Sequence, residues 1–163
     1  MDKILKDALW HQFGASINML ENAITMCPES LWATKAKFWY IAFDCLYYLD
    51  YYLTTNVENY VLPAPFAFAG PDPTDGPPER IYSRQELLDY LHSSRTRCHD
   101  LIKAMTSELA TSTWTNRSKT MHFPFFELLI YNMRHVQHHT GQLNLLLRQG
   151  IDDAPDWITR SGQ

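Results

Sequence analysis

Four stretches of this chain repeat apolar residues at steps of three and four, and a fifth is too rich in proline to do so. Between residues 2 and 27 the apolar positions are Leu5, Leu9, Phe13, Ile17, Leu20, Ile24 and Cys27, with polar residues between them. That is the pattern of an amphipathic helix, which Pro28 stops. Residues 35–55, KAKFWYIAFDCLYYLDYYLTT, are apolar on most sides, so a helix there is largely buried or shared with a partner. Residues 56–82 hold six of the nine prolines, which predicts a long crossing loop. A capping box, Ser83 with Glu86, opens a third helix over 83–108, whose inner stripe is Leu87, Leu91, Cys98, Leu101, Ile102 and Met105. The polar connection TSTWTNRSKT leads to Pro124 at the first turn of a fourth helix over 124–149, closed by Gly150. No segment carries a strand signal, and in the tail Trp157 and Ile158 are expected to dock on the body. Four helices and one long connection predict an all-α four-helix bundle, a single domain over residues 1–163.

Composition narrows the function classes. With 163 residues and 45% hydrophobic side chains, the chain is long enough to bury one full core. No secretory leader and no membrane-length apolar run is present, so neither export nor membrane insertion is expected. Cys27, Cys45 and Cys98 are odd in number and form no CxxC pair, which suits reduced, buried thiols and a cytoplasmic setting. The net charge is -4 and the cations are scattered, which argues against nucleic acid as a partner.

The fourth helix contains RHVQHHTGQLNLLLRQ, three histidines within five positions of a core-forming segment. At about 100° per residue, His135 and His139 lie about 40° apart around the axis and share a face with Leu128, Gln142 and Leu146, while His138 belongs on the flank. An i, i+4 imidazole pair can converge on one ion, and two buried imidazoles without partners are costly. Either a metal or a complete hydrogen-bond network has to satisfy them. Candidates for a third ligand are His11, Asp44, Asp50, His92 and His99. Asp44 has Tyr40, Ile41, Tyr48 and Tyr51 on its side of the second helix, so its carboxylate is buried and needs a positive neighbour or a Tyr or Trp donor. Asp50 projects about 120° away and reads as solvated or at a rim. His92 and His99 read as a surface or pocket rim.

HVQHHTGQLNLLLRQ, FWYIAFDCLYYLDYYL upstream, the Pro-rich crossing and the closing APDW together resemble the DinB-like (YfiT-like) metalloenzymes over essentially the whole chain. The resemblance implies an up-down-down-up bundle, often dimeric, with one divalent ion near one end held by three histidines. Two of these correspond to His135 and His139, ahead of Thr140, Gly141 and Gln142, and the third falls where this chain has Asp44. Two outcomes follow. Asp44 coordinates, giving a site of lower positive charge that suits zinc, nickel, iron or manganese. Otherwise the site has lost its metal, and Asp44 accepts a hydrogen bond from a protonated His135 or His139.

Family members of known chemistry are mostly thiol-dependent, so the resemblance further implies activation of a low-molecular-weight thiol or a water, as in an S-transferase or hydrolase-like reaction. Gln142 is then the residue that orients a ligand, with Tyr48, Tyr51, His92 and His99 as candidates for the pocket wall. A small-molecule ligand and a homodimer are the expected partners. The competing expectation is a non-catalytic homodimer or small-ligand carrier with a degenerate metal site, in which the second helix's aromatic side chains form the interface.

Overall fold

The computed structural model describes residues 1–70 and 76–162, and the part of the Pro-rich stretch at residues 71–75 lies outside them. The order of elements is α1 (Lys3–Met26), α2 (Glu29–Trp32), α3 (Phe38–Tyr51), α4 (Arg84–Ala104), α5 (Ser107–Thr111), β1 (Thr113–Thr115), β2 (His122–Pro124) and α6 (Phe125–Ile151). Asp2 caps α1 by accepting the Ile4 N–H, and Pro28 ends it with Cys27 extended. The buried stripe of α1 begins at Leu9; Leu5, expected to be part of it, is half exposed.

Local capping trims two of the expected helices. α3 begins only after Lys37 in a left-handed conformation, and past Tyr51 the Thr54 hydroxyl accepts the Asn56 N–H, a turn that competes with further helix. α4 opens with the full capping box, Ser83 accepting from the Glu86 N–H while the Glu86 carboxylate accepts from the Ser83 N–H at 2.8 Å. It stops at Ala104 because Thr106 caps a separate turn, α5, through the Leu109 N–H.

Three expectations need correction. TSTWTNRSKT begins an antiparallel hairpin, with Trp114 opposite Phe123. Its Thr and aromatic residues favour strand, and the Asn116 side chain closes the turn by accepting the Thr120 and Met121 N–H groups. α6 runs through Gly150 and is closed by Asp152 in the left-handed region. The glycine serves packing, since a Cβ there would lie 3.0 Å from a Leu31 methyl. The tail docks through Ser161, whose N–H donates to the His11 carbonyl and whose side chain fills the space above Gly14, while Trp157 is 67% exposed.

α1 packs against α4 and α6, and α3 packs against the same two helices. Phe13, Ile17, Leu20, Phe43, Leu46, Leu87, Leu91, Leu128 and Leu143 are fully buried along these seams. Cys27, Cys45 and Cys98 are free thiols, all buried. Trp39, Tyr47, Tyr51 and Tyr52 are also buried within the one chain, so these rings are not available as an intermolecular surface. Among the described residues no helix is long and apolar enough to cross a membrane.

Asp50, expected at a solvated rim, is 1% exposed. The face 120° from Asp44 meets α4, which supplies the partners a buried carboxylate requires. The Arg97 guanidinium pairs with Asp50, and the hydroxyls of Tyr60 and Tyr90 donate to it at 2.9 and 3.1 Å. Asp50 thus ties α3, α4 and the segment after α3 together. Asp50→Ala is expected to lower unfolding free energy by about 2–3 kcal/mol, discounted for the half-exposed arginine. Urea denaturation checks this, and a loss below about 0.5 kcal/mol would contradict it.

Candidate metal centre

α3 and α6 meet antiparallel. The Asn132 side-chain amide donates to the Leu49 carbonyl at 2.9 Å, the His135 ring lies edge-on to Tyr48 and Tyr52, and His139 Nε2 is 3.8 Å from Asp44 Oδ2. Residues four apart stack on one helical stripe, so 44 and 48 on α3 and 52 at its C-cap face 135 and 139 on α6. The result is that one ligand atom from each of Asp44, His135 and His139 lies within 4.8 Å of the others. No other such group of three His, Cys, Asp or Glu occurs among the described residues.

Burial sets the charge states. It pushes the His135 imidazolium down to about 4, with His139 and His138 adding repulsion. His139 is lowered by the same cause, opposed in part by the Gln142 amide, and burial raises the Asp44 carboxyl. The Nδ1 atoms of both histidines are buried and have no hydrogen-bond partner among the described residues. At 3.8 Å the His139–Asp44 contact is too long for a hydrogen bond, and burial disfavours both charged forms. An imidazolium–carboxylate pair therefore explains the site poorly.

A divalent cation fits the donors better. The imidazoles are already neutral, as ligands must be, and a cation would stabilise the carboxylate that burial disfavours. The 3.8 Å separation is near the roughly 3.4 Å edge of a tetrahedron with bonds of about 2.1 Å. The side chains of His139 and Asp44 are 17% and 26% exposed, so the site is partly open to solvent.

Of the other residues the sequence suggested, Gln142 is exposed beside His139, and Tyr48 packs its ring 5.3 Å from that of His135. Tyr51 packs on Tyr47, Tyr60 and Trp114 and accepts the Arg117 N–H, His92 pairs with Glu21 of α1, and His99 pairs with Asp100 and packs on Trp10. Their partners lie outside the triad. Tyr52, by contrast, was not among the candidates, yet its ring meets His135 and is backed by Tyr131. Its spacing of four from Tyr48 and eight from Asp44 is the signal that would have found it.

The DinB family model matches residues 74–155, half of the chain. The chain belongs to the DinB family. The matched segment carries both histidines of the triad, and Asp44 lies ahead of it. No curated protein and no solved structure matches this DinB-family chain.

In metal-free protein the depressed basicity of His135 has a stability consequence. The fold binds fewer protons than the unfolded chain between the ordinary histidine value of 6.5 and about 4, so stability falls as pH drops through that window. The loss attributable to His135 is expected to be on the order of 2 kcal/mol. Thermal melts at pH 7 and 4.5 in chelator check it: His135→Leu should melt with a smaller pH dependence than the parent, and an unchanged dependence would contradict the assignment.

Proposed function

We propose that this chain is a metal-dependent enzyme in which Asp44, His135 and His139 hold one divalent ion, and that its nucleophile is a low-molecular-weight thiol or water, in an S-transferase-like or hydrolase-like reaction. The observation that carries the reading is the convergence of three ligand atoms within 4.8 Å around imidazoles that burial keeps neutral. A bound divalent ion would supply Lewis acidity, lowering the pKa of the thiol or water presented to it. The chain's own residues supply the rest. Asp44 brings one formal negative charge, so the site carries less positive charge than three imidazoles would leave, and zinc, nickel, iron or manganese all suit such a set. Gln142, exposed next to His139, is placed to hydrogen-bond an incoming ligand, while the rings of Tyr48 and Tyr52 wall His135 from water.

The same reading takes the chain as one domain over residues 1–163, an up-down-down-up four-helix bundle. Contacts between named residues support it. Glu21 meets His92 and Trp10 meets His99, which makes α1 and α4 antiparallel, as α3 and α6 are. Phe43 meets Tyr82 while Asp50 meets Tyr90 and Arg97, so α3 and α4 run parallel. A parallel neighbour requires a long crossing, which the Pro-rich segment provides. Three buried free thiols accord with a reducing compartment such as the cytoplasm.

Elemental analysis of untagged protein is the test. About one divalent ion per chain is expected, with affinity falling at least about a hundredfold in Asp44→Ala and in His139→Ala. Because burial already holds His135 neutral far below pH 6.5, affinity should persist past that pH and decline towards about 4. No uptake of zinc, nickel, manganese or ferrous iron, or uptake indifferent to both substitutions, would overturn the reading.

A further inference from the structure

At the amino-terminal end of α1, where it meets the end of α4, lies a cavity of about 420 Å³ that shares no residue with the triad. Its size is that of a small-molecule site. Its wall has apolar groups: Ile102 lines it, and the Trp10 indole is held in place by donating to the Gly162 carbonyl and by the His99 ring packed edge-on against it at 4.7 Å. Its rim is cationic. Lys3 and Lys6 come from α1, Lys103 from the end of α4, and Arg160 of the tail donates to His11, which also lines the cavity.

Two chain segments far apart in sequence therefore bring three lysines to the lining of one cavity, in a protein whose net charge is -4, and the tail sets Arg160 behind His11. Asp7 is the acidic residue of the lining, and it is engaged by Lys3 at 2.5 Å. The Lys6 ammonium gives one of its three donors to the Lys103 carbonyl at 2.8 Å and keeps its charge, while Lys103 is exposed, and neither forms an ion pair among the described residues. Lysines that line one cavity repel one another unless an anion balances them, and a charge-lined cavity with apolar groups in its wall concentrates such an anion.

We propose that this cavity is a second binding site, for a small organic anion with a flat aromatic body, whose ring lies against Trp10 and Ile102 and whose carboxylate or phosphate is held by Lys6 and Lys103. The site is independent of the metal centre. Its ligand class is set by the combination: an inorganic anion alone would leave the indole wall unused, and a neutral arene would leave the lysines unbalanced.

The test titrates the full-length chain with 2-naphthoate, and with neutral 2-naphthamide as the control for ring packing alone, by calorimetry at low ionic strength. Saturable binding of one naphthoate per chain is expected, at least about tenfold tighter than the amide and weakening with added salt. Lys6→Glu/Lys103→Glu should weaken naphthoate at least about tenfold and leave the amide unchanged, Trp10→Leu should weaken both, and His139→Ala should alter neither. The single Lys103→Ala variant, at an exposed position, serves if the double variant does not fold, and should weaken naphthoate alone. No naphthoate binding, equal affinity for the amide, indifference to the lysine substitutions, or loss of binding in His139→Ala would each overturn the proposal. A failure to bind metal would leave these titrations unaffected, so the two readings fail separately.

Discussion

The antiparallel seam between α3 and α6 is the contact on which the candidate chemistry depends. Asn132 fixes its register by donating to the Leu49 carbonyl, and from that point helical spacing alone carries Tyr48 and Tyr52 to His135 and Asp44 to His139. A shift of one residue along either helix would turn a ligand by about 100° and disperse the group. Burial in the seam disfavours the charged forms of His135, His139 and Asp44, which leaves two neutral imidazoles beside a carboxylate, a donor set that could hold a cation.

The two carboxylates of α3 illustrate how burial and partners combine. Asp44 and Asp50 lie on faces about 120° apart. Asp50 is enclosed, and from the protein itself it gains an ion pair with Arg97 and accepts from the Tyr60 and Tyr90 hydroxyls. Among the described residues Asp44 has no such donors: its neighbour is a neutral imidazole at 3.8 Å, and it stays partly open to solvent. The first arrangement is a structural tie between α3, α4 and the segment that follows α3. The second is a site with an unfilled electrostatic requirement, which is the property that distinguishes a ligand set from a core network.

Much of this was legible from side-chain spacing. The helices over Lys3–Met26, Arg84–Ala104 and Phe125–Ile151 follow their apolar stripes and the Ser83 capping box, and the i, i+4 histidines can be picked out by angular position, whereas the choice of Asp44 beside them comes from the resemblance to the DinB-like proteins. What spacing does not reveal is decided between segments. Asp50 reads as exposed until Arg97, 47 residues later, arrives beside it. Gly150 reads as a terminator, yet its role is to admit Leu31 of α2. The hairpin was hidden because each strand is three residues long, too short for an alternating pattern, and it is secured by Trp114 donating to the Thr54 carbonyl. The docked tail has the same origin, since Ser161 finds its place only through the bare backbone at Gly14.

X-ray absorption at the metal edge of zinc-loaded, untagged protein tests the central claim most directly, because it reads the donors rather than the affinity. The expected spectrum carries the multiple scattering of two imidazoles with nitrogen and oxygen neighbours at about 2.0–2.1 Å, falling to one imidazole in His139→Ala. A spectrum without imidazole scattering, or one identical in the parent and in His139→Ala, would contradict the meeting of Asp44, His135 and His139 at a single ion.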